Sequence, residues 1–309
     1  MPSKLEAGRT SLVDWMFPMV NPAIAIAALL TLAPFLAAAF FAHRLAVAAD
    51  RLVAPVRILA SAVLCVPYLL VVCSSGSFRW SWLAVYALLP VAVSALMEQA
   101  GRIDPQQYGN WRDFLVLAVL GLAVDLRWFE AAWPAHLTVF NKILLLDAGI
   151  YGLLMIRQLN GVGFDLRLRL RDAGIGLREF AFYAPIAIAL GLGIGFLHLH
   201  ASWPHLPQLA GAFLFTFFFI AIPEELFFRG WLQNLLERRM GRSAALLVTA
   251  ILFGLAHFNK RAVLFNWRYV ILAALAGIFY GRAWRQERRV GASAITHACV
   301  DTVWSYWLR

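Results

Sequence analysis

Two adjacent carboxylates, Glu224 and Glu225, stand within a strongly apolar stretch and are followed by Arg229. Ionisable residues inside a membrane helix cost about 2.5–3.5 kcal/mol at its centre on insertion scales, and they mark functional sites by default. Glu225 and Arg229 have the i, i+4 spacing with the acid first, which favours an ion pair on one helix face. Glu224 points about 100° away from Glu225 around the helix. The pattern therefore predicts that Arg229 holds Glu225, while Glu224 is available for acid–base chemistry.

A histidine, His257, ends the next apolar stretch of the chain. The connection between the two stretches turns most simply at Gly241, which lies about 16 positions, or about 25 Å of helix, from both His257 and Glu224. Two antiparallel helices joined at this glycine would bring the two side chains to one depth. A carboxylate that faces an imidazole can hold and deprotonate a water molecule.

The last apolar stretch carries His297 and Asp301, which are four residues apart and so share one helix face. Such a pair can bind a metal ion. It can equally donate a hydrogen bond to a developing oxyanion, with the aspartate fixing the imidazole tautomer. The spacing does not choose between these two roles. A divalent metal such as zinc, if present, would be bound by Glu224, His257, His297 and Asp301.

The elements that carry these residues are membrane spans. The 309-residue chain is 62% hydrophobic and only 14% charged, with a mean hydropathy of +0.72, whereas soluble domains are about 25% charged. This composition excludes a secreted enzyme, a nucleic-acid-binding domain and a disordered scaffold. It predicts an all-α, polytopic transmembrane bundle of about 8–10 spans. The apolar stretches lie near residues 19–42, 53–73, 80–97, 113–129, 137–156, 180–200, 207–238, 243–258, 266–284 and 291–308.

The distribution of charge predicts how the chain is oriented in the membrane. The net charge is +10, and 17 of the 27 Lys and Arg residues lie in the loops after the odd-numbered spans or within five residues of them. Positive charge marks cytoplasmic loops, so both termini are expected outside and the segment 157–178 is expected on the cytoplasmic membrane surface. The charged N-terminus precedes an apolar run too long for a signal-peptide core, which argues against a cleaved signal. Short loops and this bias suit a prokaryotic plasma membrane, although an endoplasmic-reticulum membrane would look similar.

Three short motifs, in order on three late spans, resemble those of the CPBP intramembrane proteases, a family that includes the type II CAAX prenyl endopeptidases and bacteriocin-processing enzymes. The resemblance covers roughly residues 180–309, which we take as a catalytic core, and leaves 1–179 as N-terminal helices of unassigned role. The matching residues are Glu224-Glu225-x-x-x-Arg229, Phe253-x-x-x-His257 and His297-x-x-x-Asp301.

The resemblance implies a role for each of these side chains. Glu224 and His257 would activate the attacking water. His297 and the residue at position 301 would form the oxyanion site, supported by Glu225 and Arg229. Many members have asparagine where this chain has Asp301, and a carboxylate is the better metal ligand. The family is described both as metal-dependent and as glutamate-dependent, and we favour the second, which requires no cofactor.

The predicted function is therefore an intramembrane endopeptidase acting on a membrane-associated or lipid-anchored protein or peptide. The alternative is a proton- or ion-coupled transporter, since buried Glu, His and Asp beside a proline-kinked helix also describe an ion relay. A third class is a non-catalytic adaptor, which the intact motifs disfavour. Three other polar residues in one span are predicted to serve packing, with Asp147 pairing with one of the other two: Asn141, Lys142 and Asp147.

Cysteine chemistry is not expected. Cys65, Cys73 and Cys299 lie in apolar stretches without the spacing of a metal site or a disulfide framework. Cys299 falls inside the third motif, but no base shares its helix face, so a thiol mechanism is rejected. The expected partners are the substrate and the lipid bilayer, with no nucleic acid.

Overall fold

A computed structural model describes residues 21–260 and 265–308, which are helical with no strand. The charged N-terminal segment, on which the signal prediction depends, lies outside the described residues. Ten helices of at least 14 residues occur in the described part of the chain: α1 (Pro22–Asp50), α2 (Ala54–Ser74), α3 (Trp80–Ile103), α4 (Trp111–Asp125), α5 (Val139–Ile156), α6 (Leu170–Gly193), α7 (Leu206–Met240), α8 (Arg242–Leu255), α9 (Trp267–Glu287) and α10 (Val290–Trp307).

These helices match the predicted spans, and the all-α membrane bundle is confirmed. Six of those described, α1, α2, α3, α5, α6 and α7, are long and apolar enough to cross a membrane. The chain is thus an integral, multi-pass membrane protein. The remaining four are shorter or less apolar, and α8 is a short apolar helix of 14 residues. The predicted turn at Gly241 is also present, with φ +80° between α7 and α8.

The structure corrects the bounds of the sixth span. The sequence predicts it at 180–200, after a basic surface segment running to 178, whereas α6 begins at Leu170 and ends at Gly193. Asp172 caps the first turn by accepting a hydrogen bond from the Arg169 backbone N–H at 2.9 Å. The same carboxylate accepts from Nε of Arg289 at 2.8 Å. Arg289 compensates the charge of Asp172, so the stretch from residue 170, which contains several charged residues, folds as helix.

Helix α7 packs between α4 and α5, and the contacts fix how the three helices align. A Cβ atom at Gly121 of α4 would lie 2.9 Å from the Phe227 ring, and one at Gly149 of α5 would lie 2.8 Å from Trp231. Close approach of this kind is typical of small residues between membrane helices. Ile143 of α5 also lines a groove together with Pro223. Helix α5 therefore runs parallel to α7, since residue 143 lines the same groove as residue 223 and residue 149 approaches residue 231.

Ion pairs join the N-terminal helices to one another, and a hydrogen bond joins them to α7, at the end of the bundle where α7 finishes. Arg157, just beyond α5, bonds Asp104 at 2.8 Å and Asp113 at 3.0 Å. Arg238 of α7 donates to the Gln107 carbonyl at 2.8 Å. Arg157 and Asp113 are buried, so removing one partner would leave an unpaired charge in the interior.

The middle of α7 departs from regular α-helix on both sides of the two carboxylates. Residues 217–221 and 226–233 are π-helical, and they flank the short α-helical segment Ile222–Glu225. Pro223 has no backbone N–H, so the preceding turn cannot complete its α-helical hydrogen bonds. A wider i→i+5 turn accommodates this loss, and such turns are frequent at functional sites.

Candidate active site

Glu225 and Arg229 form the ion pair that their spacing predicts. Nη1 of Arg229 lies 3.1 Å from Oε1 of Glu225, and neither side chain is exposed. Nη2 of Arg229 donates to the Gly277 carbonyl of α9 at 3.1 Å. The guanidinium also lies over the Phe253 ring at 4.5 Å, a cation–π contact that suits a desolvated charge. The arginine thus joins α7 to α8 and α9.

Glu225 also contacts α10 through two further donors. Its Oε1 lies 2.8 Å from Nδ1 of His297, and its Oε2 accepts a hydrogen bond from the Ser293 hydroxyl. An acceptor-only carboxylate at Nδ1 requires that this nitrogen carry the proton. Glu225 therefore orients His297 and leaves Nε2 facing the site. Ser293 was not predicted, although its position four residues before His297 puts it on the same face of α10.

The imidazole of His297 lies between carboxylates on both of its edges. Nε2 lies 3.5 Å from Oδ2 of Asp301 and 4.0 Å from Oε2 of Glu224. The Tyr280 ring stacks on the imidazole, with the centroids 4.7 Å apart and the planes 16° from parallel. The adjacent residues Glu224 and Glu225 thus both reach one histidine, because they approach opposite edges of its ring.

This arrangement corrects one expectation about Asp301. The sequence allowed Asp301 to fix the imidazole tautomer, but Glu225 occupies Nδ1 at 2.8 Å, whereas Asp301 lies 3.5 Å from the other nitrogen. Asp301 and Glu224 each have a side chain about a third exposed, at 30%, while Glu225 is fully buried. Asp301 and Glu224 are therefore accessible to a reacting group, whereas Glu225 is not.

His257 lies beside this group without bonding to it directly. Its Nδ1 lies 2.8 Å from the Phe253 carbonyl, so this nitrogen carries the proton and Nε2 is the free acceptor. The Phe253 ring contacts both His257, at 4.9 Å, and His297, at 5.8 Å. Among the described residues there is no hydrogen bond between Glu224 and His257, but the two interact electrostatically. Their direct cooperation on one water stays a prediction.

An apolar cleft opens beside the two histidines. It encloses about 650 Å³ including its open mouth, and His257, His297 and Asp301 contribute to its wall. Side chains from α6, α9 and α10 form the rest of the wall, among them Tyr183, Leu272, Ala276, Val300 and Trp304. A mainly apolar cleft with a few convergent polar groups is the usual form of a ligand site.

A metal ion is the alternative role for the same side chains. Within residues 21–260 and 265–308, no group of three or more His, Cys, Asp or Glu side chains is arranged to hold a metal ion. Nδ1 of both His257 and His297 is engaged by the protein, which leaves Nε2 of each ring as the nitrogen that faces the site. That the reaction requires no cofactor stays a prediction.

Comparison with known protein families gives a match over the last four helices, α7 to α10. Residues 206–303 match the family model of the Rce1-like type II CAAX prenyl endopeptidases. This Rce1-like segment contains all six predicted site residues, and the match confirms the resemblance drawn from the three motifs. No curated protein and no solved structure matches the chain. The Rce1-like match supports an intramembrane endopeptidase of the CAAX type, and it does not favour the transporter.

The polar residues of α5 differ in what they do. Asn141 accepts a hydrogen bond from the Tyr86 hydroxyl at 2.7 Å, which is a packing role as predicted. Both carboxylate oxygens of Asp147 are buried without a hydrogen-bond partner in the described residues, so its predicted pairing with Asn141 or Lys142 is wrong. Lys142 instead interacts electrostatically with Glu224 of the Rce1-like segment.

Proposed function

We propose that the protein is an intramembrane endopeptidase in which Glu224 activates the attacking water. One observation carries the proposal. Nε2 of His297 faces both accessible carboxylates, Glu224 at 4.0 Å and Asp301 at 3.5 Å, and His297 and Asp301 line an apolar cleft inside a membrane bundle. A proton acceptor and a proton donor within a few ångströms of each other are what hydrolysis of a peptide bond requires.

The reaction follows from these positions. Glu224 takes a proton from water as its oxygen forms a bond to the peptide carbonyl carbon. His297, protonated at Nε2, donates a hydrogen bond to the resulting oxyanion, while Glu225 holds the ring from the other edge. His257 presents its free Nε2 to the same water. The proton held by Glu224 then passes to the leaving nitrogen as the C–N bond breaks, which restores both groups.

Hydrolysis without a metal is part of the proposal. A chelator such as EDTA is expected to leave the hydrolysis rate of the purified protein within about twofold of the untreated rate, because side chains supply both the base and the oxyanion donor. Added zinc should not raise the rate. Elemental analysis of the active protein checks the same point, and loss of activity on chelation that is restored by zinc would overturn the metal-free mechanism.

The substrate class follows from where the site lies. The cleft is apolar and the catalytic groups are within the bundle, so the substrate is a peptide of a membrane-associated or lipid-anchored protein. The charge bias of the loops supports a prokaryotic plasma membrane with the odd-numbered loops in the cytoplasm.

The test compares protein termini in native membranes that hold either the wild type or Glu224→Gln at equal expression. New termini near apolar segments, present only with the wild type, are expected, and they would name the substrate. Identical sets of termini would refute the endopeptidase. The transporter would then be tested by proton-coupled uptake in sealed vesicles.

A further inference from the structure

Tyr280 of α9 carries a hydroxyl group that the packing of the site does not require. The residue is 1% exposed, and its ring stacks on the His297 imidazole with the centroids 4.7 Å apart. The Phe253 ring meets it edge-on at 5.7 Å, and the Arg229 guanidinium lies 5.3 Å from its centroid. A phenylalanine ring would make all three contacts. The hydroxyl group therefore has a role other than filling space.

The Tyr280 hydroxyl has no partner in the protein and is open to the cleft. It makes no hydrogen bond within residues 21–260 and 265–308, although the Tyr280 backbone carbonyl accepts one from Ser293 at 2.9 Å. The hydroxyl of Tyr68 in α2 also lacks a partner but is enclosed by protein, whereas that of Tyr280 is not enclosed. Because Tyr280 lines the apolar cleft, the space that its hydroxyl meets is the cleft. A hydroxyl kept from water without a partner is unfavourable, and a ligand oxygen would satisfy it.

The Tyr280 hydroxyl lies on the side of the site where His297 presents its proton. Nε2 of His297 lies 3.5 Å from Oδ2 of Asp301, and the Tyr280 hydroxyl interacts electrostatically with the same carboxylate. All three residues line the cleft. An N–H donor from α10 and an O–H donor from α9 therefore converge on one part of the cleft wall, beside Asp301.

The oxyanion that forms during peptide hydrolysis needs hydrogen-bond donors at this part of the wall. In the proposed reaction His297 supplies one donor, through Nε2. Asp301, as the carboxylate opposite Nε2, accepts hydrogen bonds and donates none. The other tyrosine hydroxyl near Asp301, that of Tyr183, donates to the Leu272 carbonyl at 3.4 Å. The Tyr280 hydroxyl has its proton free, so it can serve as a second donor.

We propose that the Tyr280 hydroxyl binds the oxyanion together with Nε2 of His297. The inference rests on the proposed endopeptidase function and adds a catalytic residue to it. As the bond from water oxygen to the carbonyl carbon forms, the π electrons of the C=O bond move onto its oxygen, which accepts the hydrogen bond from Tyr280. Tyr280 keeps its proton throughout. When the C=O bond re-forms and the C–N bond breaks, the leaving nitrogen takes the proton held by Glu224, and the hydroxyl is free again.

The experiment compares Tyr280→Phe with the wild type, each as the full chain in phosphatidylcholine nanodiscs. The substrate is a peptide that spans the cleavage site identified by the comparison of termini. Phenylalanine keeps the ring on His297 and removes only the donor. We expect kcat to fall about 10²–10³-fold, the usual loss for one oxyanion donor, with KM changed by less than about twofold. The unfolding curve should stay that of the wild type, because the hydroxyl has no partner in the protein.

A pair of inhibitors tests the contact with the tetrahedral oxygen. A difluoromethylene ketone analogue of the peptide binds as its tetrahedral hydrate, whereas the corresponding methylene ketone stays trigonal. Interactions made in the transition state favour the tetrahedral analogue. Tyr280→Phe should therefore weaken inhibition by the difluoromethylene ketone by at least about tenfold and inhibition by the methylene ketone by less than about twofold.

Tyr68→Phe is the matched control, because Tyr68 is a buried tyrosine with an unpartnered hydroxyl and is not part of the cleft wall. Its kcat should stay within about twofold of the wild-type value. A Tyr280→Phe kcat within about threefold of this control, an equal loss of affinity for both ketones, or a lower free energy of unfolding would overturn the oxyanion role. New termini with an unchanged Tyr280→Phe rate would refute this role alone. Identical termini would refute the endopeptidase, and this role with it.

Discussion

Glu224→Gln is expected to lower the rate of peptide hydrolysis by about 10²–10⁴-fold, the usual contribution of a general base. Glutamine keeps the size and polarity of the side chain but cannot accept the proton from water. The fold should persist, because Glu224 makes no hydrogen bond in the described residues and its nearest charged contact is His297 at 4.0 Å. The rate is measured on a peptide spanning the cleavage site that the comparison of termini identifies.

Glu130→Gln is a matched control for this change. Its side chain is 31% exposed, against 30% for Glu224. Within residues 21–260 and 265–308 its ion pair is with Arg127 at 4.0 Å, and it is not part of the cleft wall. The control should keep the wild-type rate, and both variants should keep the wild-type unfolding curve. A Glu224→Gln protein that hydrolyses the peptide at a rate within tenfold of the control would remove Glu224 from the role of base.

Arg229→Met is expected to have the largest effect on stability. Removing the guanidinium leaves the fully buried Glu225 carboxylate with only His297 and Ser293 as donors, and breaking a buried pair costs about 3–5 kcal/mol. The contact over the Phe253 ring is lost as well. The free energy of unfolding is measured in detergent by denaturant titration. Because Glu225 positions His297, hydrolysis should fall even in the fraction that stays folded.

Arg282→Met provides the comparison for a more exposed pair. Arg282 is 47% exposed and lies 3.0 Å from Glu179, which also contacts Arg178 at 3.1 Å. Because Arg282 is partly exposed and Glu179 keeps Arg178 as a partner, the expected loss in the free energy of unfolding is about 0–1 kcal/mol. Equal losses for the two variants would show that Arg229 does not compensate a buried charge.

Local spacing explains what could be predicted from the sequence. The ion pair of Glu225 with Arg229 and the shared face of His297 and Asp301 each span four residues, so helix periodicity alone predicts them. The spans follow from hydropathy, because lipid leaves the backbone no other way to satisfy its hydrogen bonds. The N-terminal extension of α6 could not be predicted in this way, since Arg289 is 117 positions from the Asp172 that it stabilises.

The rest of the site depends on contacts between distant parts of the chain. Glu225 and His297 are 72 positions apart, so the spacing did not show which carboxylate orients the ring. Lys142 and Asp125 reach Glu224 only through the packing of α4 and α5 on α7. The division of the chain at residue 179 stays a prediction, and these contacts join its two parts at the catalytic level.

The π-helical turns on either side of Ile222–Glu225 separate the orientation of the two carboxylates from the anchoring of α7. Each turn holds more residues than α-helix needs for the same rotation, so it behaves as an insertion absorbed within the helix. Loss of one residue from such a turn would leave a regular α-helical turn of nearly the same rotation, so the carboxylates would keep their direction relative to the anchored end. The direction in which the site faces is thus buffered against a one-residue change in the length of α7.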